Sequence, residues 1–235
     1  MGGRTVFGDR VPRSAVWAGK AVEMCSAGAG AAVPGSRAPG RPRSERASQA
    51  ILRAAVDLLL EGVPVEALST EAVVARAGVG KATLYRRWPN KEAVLRDVLE
   101  SLTEAPVRPP GADLREDLVV LVHELCRWLV ESRSGRLLPR LLGTPELYAR
   151  YVHLVIEPRV SAIRDVLCAG VRCGALAPHS QTEMLLTMLT GPVLSRVVLC
   201  SAVPGSPDDL RDDRFAARLV DHVLAGHVIA RNQLS

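Results

Sequence analysis

The chain has 235 residues, of which 48% are hydrophobic and 23% are charged, and it carries a formal net charge of +5. This length and composition can bury a sizeable core, as one large or two modest domains. No run reaches the roughly 18 apolar residues of a membrane helix, so we predict no membrane partner. The positive charge favours an acidic partner without defining a fold.

The cysteines argue against a disulfide framework, because their number is odd and no two form a Cys-x-x-Cys pair. This pattern predicts a cytoplasmic location. Cys168 and Cys173 leave a thiol or metal sensor open, but their spacing is not that of a standard metal clip. A free cysteine more often behaves as a small buried hydrophobe. We therefore predict no metal and no cofactor.

Residues 1–39 are rich in Gly, Ala, Ser and Pro and show no sustained apolar period, which predicts a disordered N-terminal extension. From residue 45 onward, apolar residues follow the i, i+3, i+4, i+7 spacing of one helix face, and Gly62 ends this first helix. The residues of the stripe are Ala47, Ala50, Ile51, Ala54, Ala55, Leu58 and Leu59.

The next three helices are short and marked by caps. Ser69 is a good N-cap for the second helix, and Gly78 closes it. After a turn with two glycines, the third helix covers residues 81–88 and ends at a proline. Asn90 caps a fourth helix that runs through Leu102. We predict a first domain over residues 40–103.

The remainder, after a Pro/Gly-rich loop at 106–112, is predicted to be helical, as a second domain over residues 112–231. Thr144 is the N-cap of a seventh helix that runs to Gly174 with a kink before Pro158. A capping box at 180–183 opens an eighth helix, which is apolar almost all round from Met184. The other predicted helices of this domain cover residues 114–129, 137–142 and 215–229.

The stretch "GVGKATLYRRWPNKEAV" at residues 78–94 lies where a helix-turn-helix would place its recognition helix. Its cations, Lys81, Arg86, Arg87 and Lys91, fall within eleven residues that contain no acid. Such a one-sign cluster is what neutralisation of DNA phosphates requires. A solvated basic face is the alternative, since basic runs commonly just face water.

The two aromatics favour DNA binding. Trp88 lies four residues after Leu84, so both occupy one helix face, which we predict to pack inward. Tyr85 lies beside the cations, where its hydroxyl can donate to a phosphate and its ring can contact a thymine methyl.

Residues 45–95, with "ILRAAVDLLLEG" and "ALSTEAVVARAGVGKATLYRRWPNKEAVL", resemble the DNA-binding domain of the TetR family of transcriptional regulators. The most specific part is the pattern AGVxxxTLYxxWxxKE. The later stretches "TPELYARYVHLVIEPRVSAIRDVLCAGVRCGAL" and "MLTGPVLSRVVL" are similar to one of the family's ligand-binding domain types. The resemblance implies an all-α protein with a helix-turn-helix domain and a C-terminal domain for ligand binding and dimerisation.

The resemblance also implies the roles of individual residues. Lys81, Ala82 and Arg86 would face base edges, while the phosphate contacts would be Thr70, Thr83, Tyr85, Arg87 and Lys91. Some members read bases from the position of Glu71, but an acid there would repel phosphate, so Glu71 is left out of the predicted contacts. Arg41 and Arg43 precede the first helix as an unstructured cationic arm for the minor groove, or as a solubilising tail.

For the C-terminal domain, the resemblance implies a homodimer formed through the last two helices and a small-molecule inducer between the fifth to eighth helices. The predicted ligand contacts are Trp128, Tyr151, Met184 and Met188, since aromatics and Met suit apolar pockets. Each is otherwise ordinary core. The expected function is a repressor released from operator DNA by a small apolar or aromatic molecule. The rival is an enzyme or ligand-binding protein with a basic helical hairpin, but no catalytic motif is present.

Overall fold

A computed structural model of the chain describes residues 42–199, 208–225 and 227, and this part contains helices and no β-strand, so the predicted all-α fold is confirmed. The predicted extension at 1–39 and Arg41 lie outside the described residues. The helices are α1 (Pro42–Leu60), α2 (Thr70–Ala77), α3 (Lys81–Tyr85), α4 (Lys91–Ser101), α5 (Leu114–Glu131), α6 (Leu138–Leu141), α7 (Pro145–Tyr151), α8 (Glu157–Arg172), α9 (Thr182–Val198) and α10 (Asp213–Leu224). Short 3-10 turns lie at Gly135–Leu137 and Asp208–Arg211.

The N-terminal helices form where the local signals place them. The Ser69 hydroxyl accepts a hydrogen bond from the backbone N–H of Ala72, and the Asn90 side chain accepts one from Ala93. Both bonds satisfy amides that have no partner within their own helix. The predicted N-caps of α2 and α4 are therefore confirmed. Helix α3 is shorter than the predicted 81–88. It ends at Tyr85, and a turn follows at residues 86–87.

Helix α5 lies at the centre of the C-terminal helices and packs against α8, α9 and α10. Asp113 caps its start by accepting a hydrogen bond from Glu116, and Arg115 forms a two-bond ion pair with Asp221 of α10, at 2.6 and 2.9 Å. Paired N–H donors on a carboxylate fix the relative orientation of the two helices.

The predicted seventh helix is one long rod with an interruption. A π-helical segment at Val152–Ile156 separates α7 from α8, immediately before Pro158 in the first turn of α8. Proline lacks an N–H and its ring clashes with the preceding turn, so the regular ladder cannot pass through it. The irregularity predicted before Pro158, as a kink, takes the form of this π-helical segment.

Two local predictions are wrong. Arg43 belongs to α1, which begins at Pro42, so this residue is helical and not part of an unstructured arm; proline favours the first helical position. Ser180 does not cap α9, since its Oγ is buried without a hydrogen-bond partner in the described structure. The predicted N-cap position of Thr144 before α7 is confirmed, but its hydroxyl donates to Glu66 and makes no capping bond to the helix.

The two groups of helices are joined by polar contacts. Besides the Thr144 to Glu66 bond at 3.0 Å, Arg133 pairs with Asp57 of α1 and Arg150 with Glu100 of α4, each at 2.5 Å. Helix α4 therefore contacts the C-terminal domain near its end, while its beginning lies next to the helix-turn-helix. No helix in the described part of the chain is long and apolar enough to cross a membrane.

Candidate nucleic-acid interface

Helices α2 and α3 are joined by the tight turn at 78–80. Gly78 adopts a left-handed conformation with φ 66°, which closes α2 and reverses the chain within three residues. Leu84 and Trp88 are 0% and 2% exposed, whereas Tyr85 is 47% exposed. The predicted division of this segment, with Trp88 packing inward and Tyr85 on the outer face, is confirmed.

Tyr85 and Thr70 connect the two helices on the outer face. Their hydroxyls are 2.9 Å apart, and the Thr70 hydroxyl donates to Glu71 at 3.2 Å. Because a threonine hydroxyl has one hydrogen, the Tyr85 hydroxyl is then the donor to Thr70. This bond holds the exposed Tyr85 hydroxyl against α2.

Lys81 begins α3 and is paired with Glu71 of α2, with 3.0 Å between Nζ and Oε1. Both side chains are more than half exposed. The Lys81 hydrogen bond is the main cause that lowers the pKa of Glu71, so the carboxylate is ionised at neutral pH. Glu71 was not among the predicted contacts, yet it accepts hydrogen bonds from two of them, Lys81 and Thr70. In the sequence, the pair of Glu71 and Lys81 is visible only as an acidic residue in the second helix and a lysine predicted to begin the third.

Two other predicted phosphate contacts, Arg87 and Lys91, are bonded to other parts of the helix-turn-helix domain. Arg87 hydrogen-bonds Ser48 and pairs with Glu45 of α1 at 3.4 Å. Lys91 donates to the backbone carbonyls of Val65 and Glu66, at 3.2 and 3.0 Å. An ammonium group has three hydrogens, so Lys91 keeps one donor for a phosphate at the start of α4.

The remaining predicted DNA contacts lie in α3 or directly after it and differ in exposure. Ala82 and Arg86 are exposed and Thr83 is half-buried. The backbone N–H of Arg86 donates to the Ala82 carbonyl at 3.2 Å, whereas its side chain forms no hydrogen bond or ion pair with the described part of the chain. Its guanidinium therefore has no internal partner to displace.

Residues 51–98 match the bacterial regulatory proteins of the tetR family, and residues 108–223 match the tetracyclin repressor-like C-terminal domain. An HTH-type transcriptional regulator of Bacillus subtilis, YdeS, is 34% identical over 166 residues, which are 68% of this chain and 82% of that protein. The chain belongs to the TetR family of transcriptional regulators.

Two solved structures of transcriptional regulators have the same fold. A TetR transcriptional regulator from Agrobacterium tumefaciens superposes with a TM-score of 0.63 at 22% identity, over 77% of this chain and 94% of that chain. FadR from Bacillus subtilis, in complex with stearoyl-CoA, gives 0.58 at 15% identity, over 76% and 98% of the two chains.

The four predicted ligand contacts of this TetR-family chain fall in two places. Trp128 and Tyr151 are buried and converge on one residue, since the indole N–H donates to the Ser134 hydroxyl at 2.8 Å and the Tyr151 hydroxyl donates to the Ser134 carbonyl at 2.7 Å. Burial raises the pKa of Tyr151. Met184 and Met188, in contrast, are 55% and 42% exposed on α9. The structure therefore brings together the two aromatics, but not the two methionines with them.

Arg159 lies with the two aromatics and was missed by the sequence analysis. It is 7% exposed, its guanidinium lies 4.2 Å from the centre of the Trp128 ring, and it donates to the Val155 carbonyl at 2.7 Å. Glu104, in the linker after α4, is its ion-pair partner at 3.2 Å. Burial lowers the pKa of Arg159, yet arginine stays charged. This contact ties the interior of the C-terminal domain to the linker.

The described residues show no sign of a metal site, and their cysteines are buried or only partly exposed. No cluster of three potential metal ligands is found among them. Cys126 is buried, which raises the pKa of its thiol to about 12, so it is protonated and unreactive at neutral pH. Cys168 and Cys173 are free and only partly exposed.

Proposed function

We propose that this TetR-family regulator is a homodimeric repressor that leaves its operator when a small apolar or aromatic molecule binds the C-terminal domain. The observation that carries the proposal is the outer face of the helix-turn-helix, where Tyr85, Lys81 and Arg86 are exposed above a buried Leu84 and Trp88. A regulator with this role acts where its operator is, in the cytoplasm.

In the proposed complex, α3 enters the major groove with Lys81, Ala82 and Arg86 toward base edges. The phosphate contacts are Thr70, Thr83, Tyr85, Arg87 and Lys91. Phosphate contacts position the protein and base contacts provide the sequence preference. Binding to the DNA that flanks the protein's own gene, compared with an unrelated duplex, tests the function. Equal affinity for both would favour the rival, a ligand-binding protein with a basic surface.

The two classes of contact predict two different responses to substitution. We expect Arg87→Ala to weaken binding to the operator and to an unrelated duplex alike, and to reduce the salt slope by about 0.9, since one phosphate contact is lost. Arg86→Ala and Lys81→Ala should reduce discrimination at particular base pairs by about 1 to 3 kcal/mol. Fluorescence anisotropy titrations with operator variants at several salt concentrations measure both effects.

Arg96→Ala is the matched control, because it removes one exposed positive charge from α4 outside the proposed contacts. We expect it to leave the salt slope almost unchanged. A salt slope that is also unchanged in Arg87→Ala would remove that residue from the phosphate contacts. A uniform loss across all operator variants in Arg86→Ala would make Arg86 a phosphate contact instead.

The proposed dimer interface includes the outer face of α9. Its inner face buries Leu185, Leu189 and Val193, while Met184 and Met188 are exposed on the other side. A second copy would cover this apolar face and set two recognition helices about 34 Å apart, one turn of DNA. Met184 and Met188 are thereby better placed for dimerisation than for one pocket with Trp128.

The proposed inducer site surrounds Trp128 and Tyr151, next to Arg159. FadR was solved with stearoyl-CoA, a molecule with a long apolar chain, which supports an apolar ligand for this fold. A ligand here would act on the DNA-binding domain through two ion pairs, Arg159 with Glu104 of the linker and Arg150 with Glu100 of α4. Movement of α4 would displace Lys91 at its start and change the spacing of the recognition helices.

The switch predicts a reciprocal effect. A ligand can shift the equilibrium between the operator-bound and the released arrangement of the protein only if it binds the two with different affinity. We therefore expect operator DNA to weaken inducer binding by the same factor by which the inducer weakens operator binding. Calorimetric titration of a compound that raises the melting temperature, into free and operator-bound protein, measures this factor. Equal affinities would exclude that compound as an inducer, and the same result for every compound bound at this site would refute the switch.

A further inference from the structure

We propose that Glu71 increases the selectivity for operator DNA, by holding Lys81 in an ion pair that is compatible with a base contact and unfavourable for a phosphate contact. The inference rests on the proposed operator binding and adds to it a residue outside the predicted contacts.

On the outer face of the helix-turn-helix, Glu71 is bonded to side chains that are proposed to contact DNA. Both carboxylate oxygens of Glu71 are occupied, since Oε1 accepts from Lys81 at 3.0 Å and Oε2 accepts from Thr70 at 3.2 Å. Thr70 is in turn bonded to Tyr85, at 2.9 Å. A single acid thus lies at the centre of a set of side chains that are proposed to contact DNA, and it belongs to α2 while Lys81 and Tyr85 belong to α3.

Lys81 has more hydrogen-bond donors than its ion pair with Glu71 uses. An ammonium group has three N–H donors, and one of them is used by Glu71. The other two can reach O6 and N7 of a guanine while the ion pair is kept. A base edge is neutral, so this contact brings no second negative charge to the carboxylate.

A phosphate contact by Lys81 has the opposite consequence. The phosphate would approach the same ammonium group that Glu71 contacts, so two negative charges would lie on either side of one positive charge. Non-specific binding consists almost entirely of phosphate contacts. The repulsion from Glu71 therefore weakens complexes with unrelated DNA more than the complex with the operator.

Glu71→Gln tests the inference, because it removes the charge and keeps the length of the side chain and an oxygen acceptor. We expect affinity for an unrelated duplex to rise about five- to tenfold near 0.1 M salt, with the salt slope steeper by about 0.9, since Lys81 gains a phosphate contact. Operator affinity should change by less than about threefold, so that the ratio of the two affinities falls.

Glu61→Gln is the matched control. Glu61 is also exposed and paired with a cation of α2, Arg76 at 2.6 Å, but neither residue is among the proposed DNA contacts. We expect Glu61→Gln to change both affinities by similar small factors. If Glu71→Gln behaves like Glu61→Gln, or lowers operator affinity without raising non-specific affinity, the inference is wrong.

The Lys81→Gln background separates the proposed pairing from direct repulsion between Glu71 and the DNA backbone. If Glu71 acts through Lys81, adding Glu71→Gln to this background should leave the non-specific affinity within about twofold. A rise as large as in the wild-type background would overturn the mechanism. A wild-type protein without any operator preference would instead refute the proposed function itself, so the two failures are distinguishable.

Discussion

Replacing Trp88 by Ala is expected to lower the free energy of unfolding of the DNA-binding domain by about 3 to 5 kcal/mol, the usual cost of removing a buried aromatic. The indole is 2% exposed, and its N–H donates to Asp97 of α4 at 2.8 Å. Trp88 therefore anchors the end of the recognition segment to α4. Since a whole domain has only about 5 to 15 kcal/mol of stability, this substitution removes a large share of it, and operator binding should weaken as the unfolded fraction rises.

Two companion variants identify the cause. Trp88→Phe keeps most of the buried ring and loses the bond to Asp97, so we expect a smaller loss of about 1 to 2 kcal/mol. Tyr85→Ala removes an aromatic three residues earlier that is 47% exposed, and it should lower stability by less than about 1 kcal/mol while weakening DNA binding. Urea unfolding followed by far-ultraviolet circular dichroism measures all three. Equal destabilisation in Trp88→Ala and Tyr85→Ala would contradict the assignment of inner and outer faces.

Replacing Gly135 by Ala is expected to destabilise the C-terminal domain by about 3 kcal/mol, the upper end of the range for overpacking. A Cβ at this position would lie 2.3 Å from the Trp128 carbonyl oxygen and 2.7 Å from the Leu129 Cα. These are backbone atoms in the last turns of α5, so no side-chain rotation can relieve the clash. The turn would have to move, and with it Ser134, on which Trp128 and Tyr151 converge.

Gly143→Ala is the control for this variant, because a Cβ there meets no atom within 4 Å. We expect its melting temperature to stay within a few degrees of the wild type, since fewer unfolded conformations offset any local change. Calorimetry of both variants measures the difference. A Gly135→Ala protein that melts together with Gly143→Ala would show that α5 and the turn are not packed as closely as the structure indicates.

The local features of the fold could be predicted because each depends on residues within one turn of each other. Ser69 and Asn90 cap α2 and α4 through amides three residues away, and Gly78 closes α2 because glycine adopts positive φ without a steric penalty. The four-residue spacing of Leu84 and Trp88 predicts that both point the same way, and the bond from the Trp88 N–H to the Leu84 carbonyl at 2.9 Å keeps this spacing although α3 ends at Tyr85.

Features that depend on a competing distant partner could not be predicted. Thr144 occupies an N-cap position, yet its hydroxyl bonds Glu66, which the chain brings close only after both domains have packed. Ser180 has the sequence of a capping box, but packing buries its hydroxyl away from the amides of α9. A local pattern does not contain the energy of the alternative contact, so it cannot show which one forms.

The sequence by itself determined the helical fold, the helix-turn-helix and the cluster of cations at residues 81–91, since periodicity, caps and charge are properties of neighbouring residues. Only the tertiary structure decided the partners of individual charged side chains. It paired Lys81 with Glu71 across a turn, and it buried Arg159 on Trp128 with Glu104 as its counter-ion. Such pairs depend on the angle and distance between helices, which are determined by the packing of the whole core and not by any segment alone.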